Sequence, residues 1–413
     1  MRSTMLPLVL PLAMLALAGC PRKPAKEPSL PKAVQGRPGG SGQSPLILPA
    51  GVRAVPGIDD AVQLAVGDEH ACVIRAGGRV FCWGDNAAGA LGLPGKKLYE
   101  TPVEIPEAAD AVELAAGTST TCARKKSGAV YCWSGALTMD LDAPLELKAK
   151  ELPELKGALT IDVGYLHVCG AFRDGHVRCT WVPEHRQYQS IYQMPEAFSG
   201  LLGVASLAVG FQTVCVRMAD SRVRCMGSDY TDKKVGGVPE EPHVSVPGPS
   251  TPSEAVFEHA HESCPNEHVP GCTAALDGVR DLTVGSGAFC VALADGGVAC
   301  WGSFEEGADQ AIYMGKHGFS RVPIRLEGFS EATAVTSGDW HVCALVKDGQ
   351  VACVGDNSHG QLGDGTTTDS KTPKLVPQLT GMTQLGAGDT FTCALHGTGQ
   401  VVCWGAWRVK DEE

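Results

Sequence analysis

Cysteine thiols are the most concentrated chemistry in this 413-residue chain, which has 17 of them. A thiol can be oxidised to a disulfide, ligate a soft metal or carry a lipid. Fourteen fall into seven pairs of one form: Cys72/Cys82, Cys122/Cys132, Cys169/Cys179, Cys215/Cys225, Cys290/Cys300, Cys343/Cys353 and Cys393/Cys403. Nine residues separate the members of every pair. A pair on one short segment supplies only two of the four ligands a structural zinc site takes, which weighs against zinc. Two readings are left: a bond within each pair, or reduced thiols packed as small apolar groups. An oxidising destination favours the bond.

A second group of ligating side chains, His259, His261, Cys264, His268 and Cys272, lies in an insertion at about residues 247–277. Three imidazoles and two thiolates have enough donors for a tetrahedral ion, yet the spacing matches no zinc motif. A Cys264–Cys272 disulfide stapling a surface loop is the expected alternative, with no metal and no cofactor. His70, His167 and His341 each stand two residues before a first cysteine, where Thr120 and Thr213 stand in other repeats. A position that recurs in this way implies packing or hydrogen bonding rather than catalysis. Asp356, Asp364 and Asp369 fit no calcium loop and are expected to serve turns. Nucleophile elbow, P-loop and His-Glu-x-x-His patterns are absent from the sequence, so no catalytic residue is assigned.

The elements that position these cysteines repeat. Gly67, Gly117, Gly164, Gly210, Gly285, Gly338 and Gly388 each precede a first cysteine by five residues, behind short apolar alternations such as Val62–Val66. Trp83, Trp133, Trp301 and Trp404 follow a second cysteine; in the third repeat the Trp moves to Trp181. First cysteines recur at intervals of 50, 47, 46, 75, 53 and 50 residues. Short strands at a period of about 50 mark an all-β propeller of seven blades. Between paired cysteines the chain reads strand, three-residue turn, strand. Glycine holds the turn's third position at Gly78, Gly128, Gly175, Gly296, Gly349 and Gly399, where φ is expected to be positive; Ser221 is the exception. Paired cysteines then face each other across a hairpin, with Cβ atoms about 4.5–5.5 Å apart against the ~3.8 Å a disulfide prefers. Closing each loop is worth about 2–3 kcal/mol.

Gly355-Asp356-Asn357-Ser358-His359-Gly360-Gln361-Leu362-Gly363-Asp364-Gly365, with Pro373 and Val376 beyond it, resembles the repeat of the regulator of chromosome condensation family, as does Trp83 to Gly92. The resemblance spans about residues 46–407 and weakens in the middle repeats. It implies a seven-bladed β-propeller with four strands per blade. The last repeat stops soon after Trp404, so a segment near Pro45–Leu48 or Val55–Ile58 is expected to complete the seventh blade and seal the ring.

The apolar run Met5–Gly19 ends in Leu17-Ala18-Gly19-Cys20, which resembles the lipobox of bacterial lipoproteins. That resemblance implies a signal peptide at 1–19 and a lipid on Cys20, which also accounts for the odd cysteine. Residues 20–45 form a Pro- and Gly-rich basic tether, and 46–413 form the propeller. The chain is expected outside the cytoplasm, held on a bacterial membrane, the outer membrane or cell surface rather than the inner one. Its formal net charge of −12, despite that basic tether, argues against nucleic acid.

Relatives of the repeat family include a nuclear exchange factor for a small GTPase and a secreted inhibitor of β-lactamases. The resemblance therefore implies a monomeric protein-binding propeller, an inhibitor or regulator of an envelope protein. The alternative is an enzyme acting on envelope polysaccharide at the ring mouth. Acids or histidines converging on one face would favour the enzyme, and an apolar or aromatic patch would favour binding.

Overall fold

A computed structural model describes residues 46–95, 98–134, 149–165, 167–181, 201, 203–210, 213–227, 278–285, 288–303 and 319–406. They form seven antiparallel sheets. Blade 1 comprises Ala61–Val66, His70–Arg75, Val80–Asp85 and Leu98–Glu104, and blade 2 Ala111–Ala116, Thr120–Lys125, Val130–Ser134 and Lys150–Glu151. Blades 3 and 4 have three strands each among the described residues: Thr160–Val163, His167–Ala171 and Val177–Trp181, then Val204–Val209, Thr213–Met218 and Val223–Gly227. Blade 5 comprises Val279–Val284, Ala288–Leu293, Val298–Ser303 and Phe319–Leu326, and blade 6 Ala334–Ser337, His341–Leu345, Val351–Gly355 and Ser370–Leu375. Blade 7 comprises Met382–Ala387, Phe391–His396 and Val401–Gly405, completed by Arg53–Ala54. Each blade's first strand lies against that of the next, and the seventh lies against the first. The molecule is a seven-bladed β-propeller.

Second strands are buried from both sides by neighbouring blades. They therefore read as continuous runs of small apolar residues, such as Val342, Cys343 and Ala344, rather than alternating ones. In all seven hairpins the paired cysteines are in register. Cys72 faces Cys82, Cys122 faces Cys132, Cys169 faces Cys179, and Cys215 faces Cys225. Likewise Cys290 faces Cys300, Cys343 faces Cys353, and Cys393 faces Cys403. Their Cα atoms lie 4.0–4.1 Å apart, and their sulfurs stand at bonding distance. The second cysteines depart from the plain hairpin reading, which gives each a single facing neighbour. Cys82 also faces Val103, Cys132 faces Lys150, Cys300 faces Ile324, and Cys353 faces Lys374, because a fourth strand ladders onto the third. These cysteines are therefore in the interior of a sheet and buried, not at its edge. The expected turn glycines have positive φ, and so does Ser221 at 69°.

Among the described residues no backbone ladder joins one blade to the next. Single backbone bonds to the hairpin turn of the preceding blade, such as Ala61 N–H to Gly399 O, Ala111 N–H to Gly78 O and Ala332 N–H to Gly296 O, make those joints together with side chains of the first strands. Gln63 accepts from Leu114 N–H and donates to Leu114 O, both at 2.9 Å. Gln384 does the same to Leu64 N–H at 2.9 Å and Val62 O at 3.2 Å, across the joint between the last blade and the first. Glu113 accepts from Ile161 N–H, Asp162 from Val209 N–H, Asp281 from Val335 N–H and Thr336 from Ala387 N–H. These bonds satisfy backbone donors that face a neighbouring sheet they cannot pair with.

An N-terminal strand closes the ring, as expected. Arg53 pairs with Cys403 and Ala54 with Val402, and Val55 N–H donates to Val401 O at 2.8 Å. Leu46 and Leu48 do not pair; they rest half-buried on the cluster of blades 6 and 7 that also holds Val52. Val55 and Ile58 are buried between blades 7 and 1. Ending the chain's start after Val55 should therefore cost about 3–6 kcal/mol by removing two buried valines and the closing pair, more than removing 46–50 alone. Denaturant melts of the two truncations test this. Ser221→Gly should stabilise the protein by about 0.5–1 kcal/mol, because a left-handed serine is strained and glycine is not; an unchanged midpoint would refute the strain.

Candidate functional site

The first and second strands of each blade meet at the axis in a tight turn. The N–H of Gly67, Gly117, Gly164, Gly285, Gly338 or Gly388 donates to the carbonyl three residues on, at 2.8–3.0 Å. A Cβ at Gly67 would overlap the carbonyl oxygen of Gly117, one at Gly117 that of Gly164, and one at Gly164 that of Gly210. The same holds from Gly285 to Gly338, from Gly338 to Gly388, and from Gly388 back to Gly67. The glycines thus form the throat of the ring, where the blades approach too closely for any side chain.

The residue after each glycine projects at the mouth. In blades 1, 6 and 7 it is Asp68, Asp339 and Asp389, and Glu69 adjoins them. These blades are contiguous once the ring closes, and Asp389 N–H donates to Asp68 O at 2.8 Å across the joint. Burial raises the Asp68 carboxyl above the ordinary range, and the charge of Asp339 adds to this against a hydrogen bond from Thr118. Asp389 is raised by burial and then by the charges of Asp68, Asp339 and Glu69. Like charges this close cannot all ionise, so the mouth holds protons at pH values where isolated carboxyls have lost theirs. Asp162 and Asp281 are also raised by burial, but their carboxylates belong to the inter-blade joints.

The histidines are structural. His70 Nε2 lies 2.7 Å from Thr121 Oγ1, and His341 Nε2 lies 2.8 Å from Thr392 Oγ1. Thr392 donates to Gln361 O, so His341 Nε2 carries the proton it gives to Thr392. Both rings pack on throat glycines, and burial lowers both to about 4. His167 is buried beside Trp181, with ring centroids 4.5 Å apart.

The tryptophans join blades. Trp404 lies over Gly363 of blade 6 and donates to Gln361 O at 2.8 Å, and Trp133 lies over Gly92 of blade 1. Fully buried Asn86 and Asn357 hold these glycine loops by bonding several loop carbonyls and the N–H groups of Leu91 and Leu362. Asp356, Asp364 and Asp369 accept from Ser358, Thr366 and Asn357 N–H within the same loop, as turn chemistry requires. Ser358 Oγ touches both Asp356 and His359 Nδ1 at 2.9 Å.

Among the described residues no group of three or more His, Cys, Asp or Glu could hold a metal ion. Cys20, the tether and the insertion with His259, His261, Cys264, His268 and Cys272 lie outside the described residues. Large exposed apolar side chains among those described are Ile47, Val112 and Leu375, on the N-terminal segment, blade 2 and blade 6. The carboxylate group was missed in the sequence. Its signal is the Gly-Asp dipeptide at one position of repeats one, six and seven, which become neighbours only when the ring closes.

Between pH 6.5 and 4 the native state binds fewer protons at His70 and His341 than the unfolded chain does. Their contribution to stability is whole above about pH 6.5 and is lost as pH falls toward 4. The mouth carboxyls act in the opposite sense, so a single variant isolates the effect. His341→Gln, which keeps a donor for Thr392, should lose about 1–3 kcal/mol less than the parent over this range. Equal slopes in urea melts at several pH values would refute it.

Models of the regulator of chromosome condensation (RCC1) repeat match residues 61–90 and 332–361, and, in a second form, 77–124 and 348–395. The E3 ubiquitin-protein ligase HERC2 of Homo sapiens and that of Mus musculus are each 35% identical over 117 residues, 27% of this chain. The chain spans only 2% of the length of those relatives. Prp20p from Saccharomyces cerevisiae superposes with a TM-score of 0.56 at 18% identity, covering 84% of this chain and 83% of that one. Human WBSCR16 gives 0.55 at 16% identity, covering 84% and 86%. The chain is thus a seven-bladed β-propeller that carries RCC1 repeats from blade 1 into blade 2 and from blade 6 into blade 7.

Proposed function

We propose that this chain is an exported lipoprotein whose propeller binds another protein through the face around the ring mouth. The observation that carries this reading is the one-sidedness of a closed, rigid ring. Third strands of blades 2 to 5 end at Ser134, Trp181, Gly227 and Ser303 on the throat side, the face that also carries the turns of Asp68, Asp339 and Asp389. Binding residues gather on turns that a rigid scaffold presents. Prp20p, which shares the fold, has been studied for its binding to Gsp1p and histones and has been solved bound to Kap60. In this reading residues 1–19 are removed, Cys20 carries lipid, 20–45 are the tether, and the seven facing pairs are oxidised outside the cytoplasm. The protein is a monomer in the envelope that regulates or inhibits its partner. Cross-linking in intact cells, followed by mass spectrometry, should recover one dominant protein partner, and Cys20→Ser should release the chain from membranes. Recovery of glycans or of nothing overturns the binding role.

The mouth carboxyls favour a second reading, an enzyme acting on envelope polysaccharide. One protonated and one ionised carboxyl are what glycoside hydrolysis uses. Asp389→Asn should then abolish polysaccharide cleavage with the fold intact; no cleavage by the unaltered protein discards this reading.

A further inference from the structure

Thirteen of the fourteen cysteines in the hairpin pairs are buried, and Cys179 alone is half-exposed. In blades 1, 2, 5, 6 and 7 the third-strand cysteine (Cys82, Cys132, Cys300, Cys353 or Cys403) is covered by a facing fourth-strand residue: Val103, Lys150, Ile324, Lys374 or Arg53. Blade 3 has no fourth strand among the described residues. Thr180 follows Cys179 where blades 1, 2, 5 and 7 have tryptophan; Trp181, two residues from Cys179 and on the same side of the strand, packs against His167 and leaves Cys179 half-exposed. Cys225, in the other blade with three strands among the described residues, stays buried in the cluster shared with blade 5.

We propose that Cys169–Cys179 is a thiol-exchange site, the one blade bridge that a small thiol reaches in the folded protein. This rests on the reading that the pairs are oxidised. An external thiolate attacks Cys179 Sγ, forms a mixed disulfide there and expels Cys169 as the thiolate. A second thiol attacks the outer sulfur of that mixed disulfide and releases Cys179. Two thiols are oxidised to one external disulfide; the bridge takes up two electrons and two protons and becomes two cysteine thiols. Accessible bridges exchange, while buried ones wait for the fold to open. The three hairpin strands of blade 3 keep their ladder when the bridge is cut, so the exchange can occur without unfolding the ring.

The test uses the full chain purified without reductant. Mapping by non-reducing mass spectrometry comes first. Graded dithiothreitol is then quenched by isotope-coded alkylation, in native buffer and in urea. Cys169 and Cys179 should be labelled about tenfold faster than any other pair in native buffer, and all pairs at one rate in urea. Seven intact bridges that are reduced together in native buffer, or another pair reduced first, overturn the exchange site and leave the oxidised reading standing. Free thiols at all fourteen positions before any reductant is added overturn both.

Discussion

Everything in this ring depends on what happens where seven sheets converge on one axis. The throat turns stand carbonyl to α-carbon, and only glycine fits at Gly67, Gly117, Gly164, Gly338 and Gly388. Because first strands form no ladder with one another, the joints rest on single backbone bonds such as Ala111 N–H to Gly78 O and on polar side chains such as Gln63, Asp162 and Gln384. An unmet buried donor costs about 1–3 kcal/mol. Specificity of blade order therefore lies in a few hydrogen bonds, and the bulk of the cohesion lies in apolar faces such as that around Trp83 and Trp404.

Much of this architecture was legible in the chain because it repeats locally. The nine-residue gap between cysteines dictates a hairpin, and the turn glycines dictate its type. What the gap does not carry is the outer neighbour of the second cysteine. Val103, Lys150, Ile324 and Lys374 reach Cys82, Cys132, Cys300 and Cys353 from 18 to 24 positions downstream, across loops of unequal length. The loops around Asn86 and Asn357 were legible as a resemblance, though the role of the asparagine as the hub of its loop became visible only in the fold. The closing strand was legible as an N-terminal one, but its exact residues were not, because Arg53–Ala54 carries no strand pattern of its own and its partners, Val402 and Cys403, are far away in sequence. The mouth carboxyls were hidden for a similar reason. Asp68 and Asp389 are 321 positions apart in the chain and adjacent in the ring.

Charge is layered along the axis. Imidazoles at His70 and His341 are held neutral in the apolar layer next to the throat, each tied to a threonine of the following blade. Carboxyls stand just above them at the mouth, where their mutual repulsion is relieved by protonation. The same few ångströms therefore contain groups that lose stability on acidification and groups that gain it. The net response to pH is smaller than that of either set alone.

The N-terminal segment touches three blades and becomes part of one. Leu46, Leu48 and Val52 lie on blades 6 and 7, Arg53–Ala54 complete blade 7, and Ile58 is wedged toward blade 1. A pull applied at residue 46 is therefore felt first at the only joint in the circle made by segments from opposite ends of the chain. The pairs of Arg53 with Cys403 and Ala54 with Val402, and the bond from Val55 N–H to Val401 O, are what resist it, at the outer edge of the blade and not at its throat.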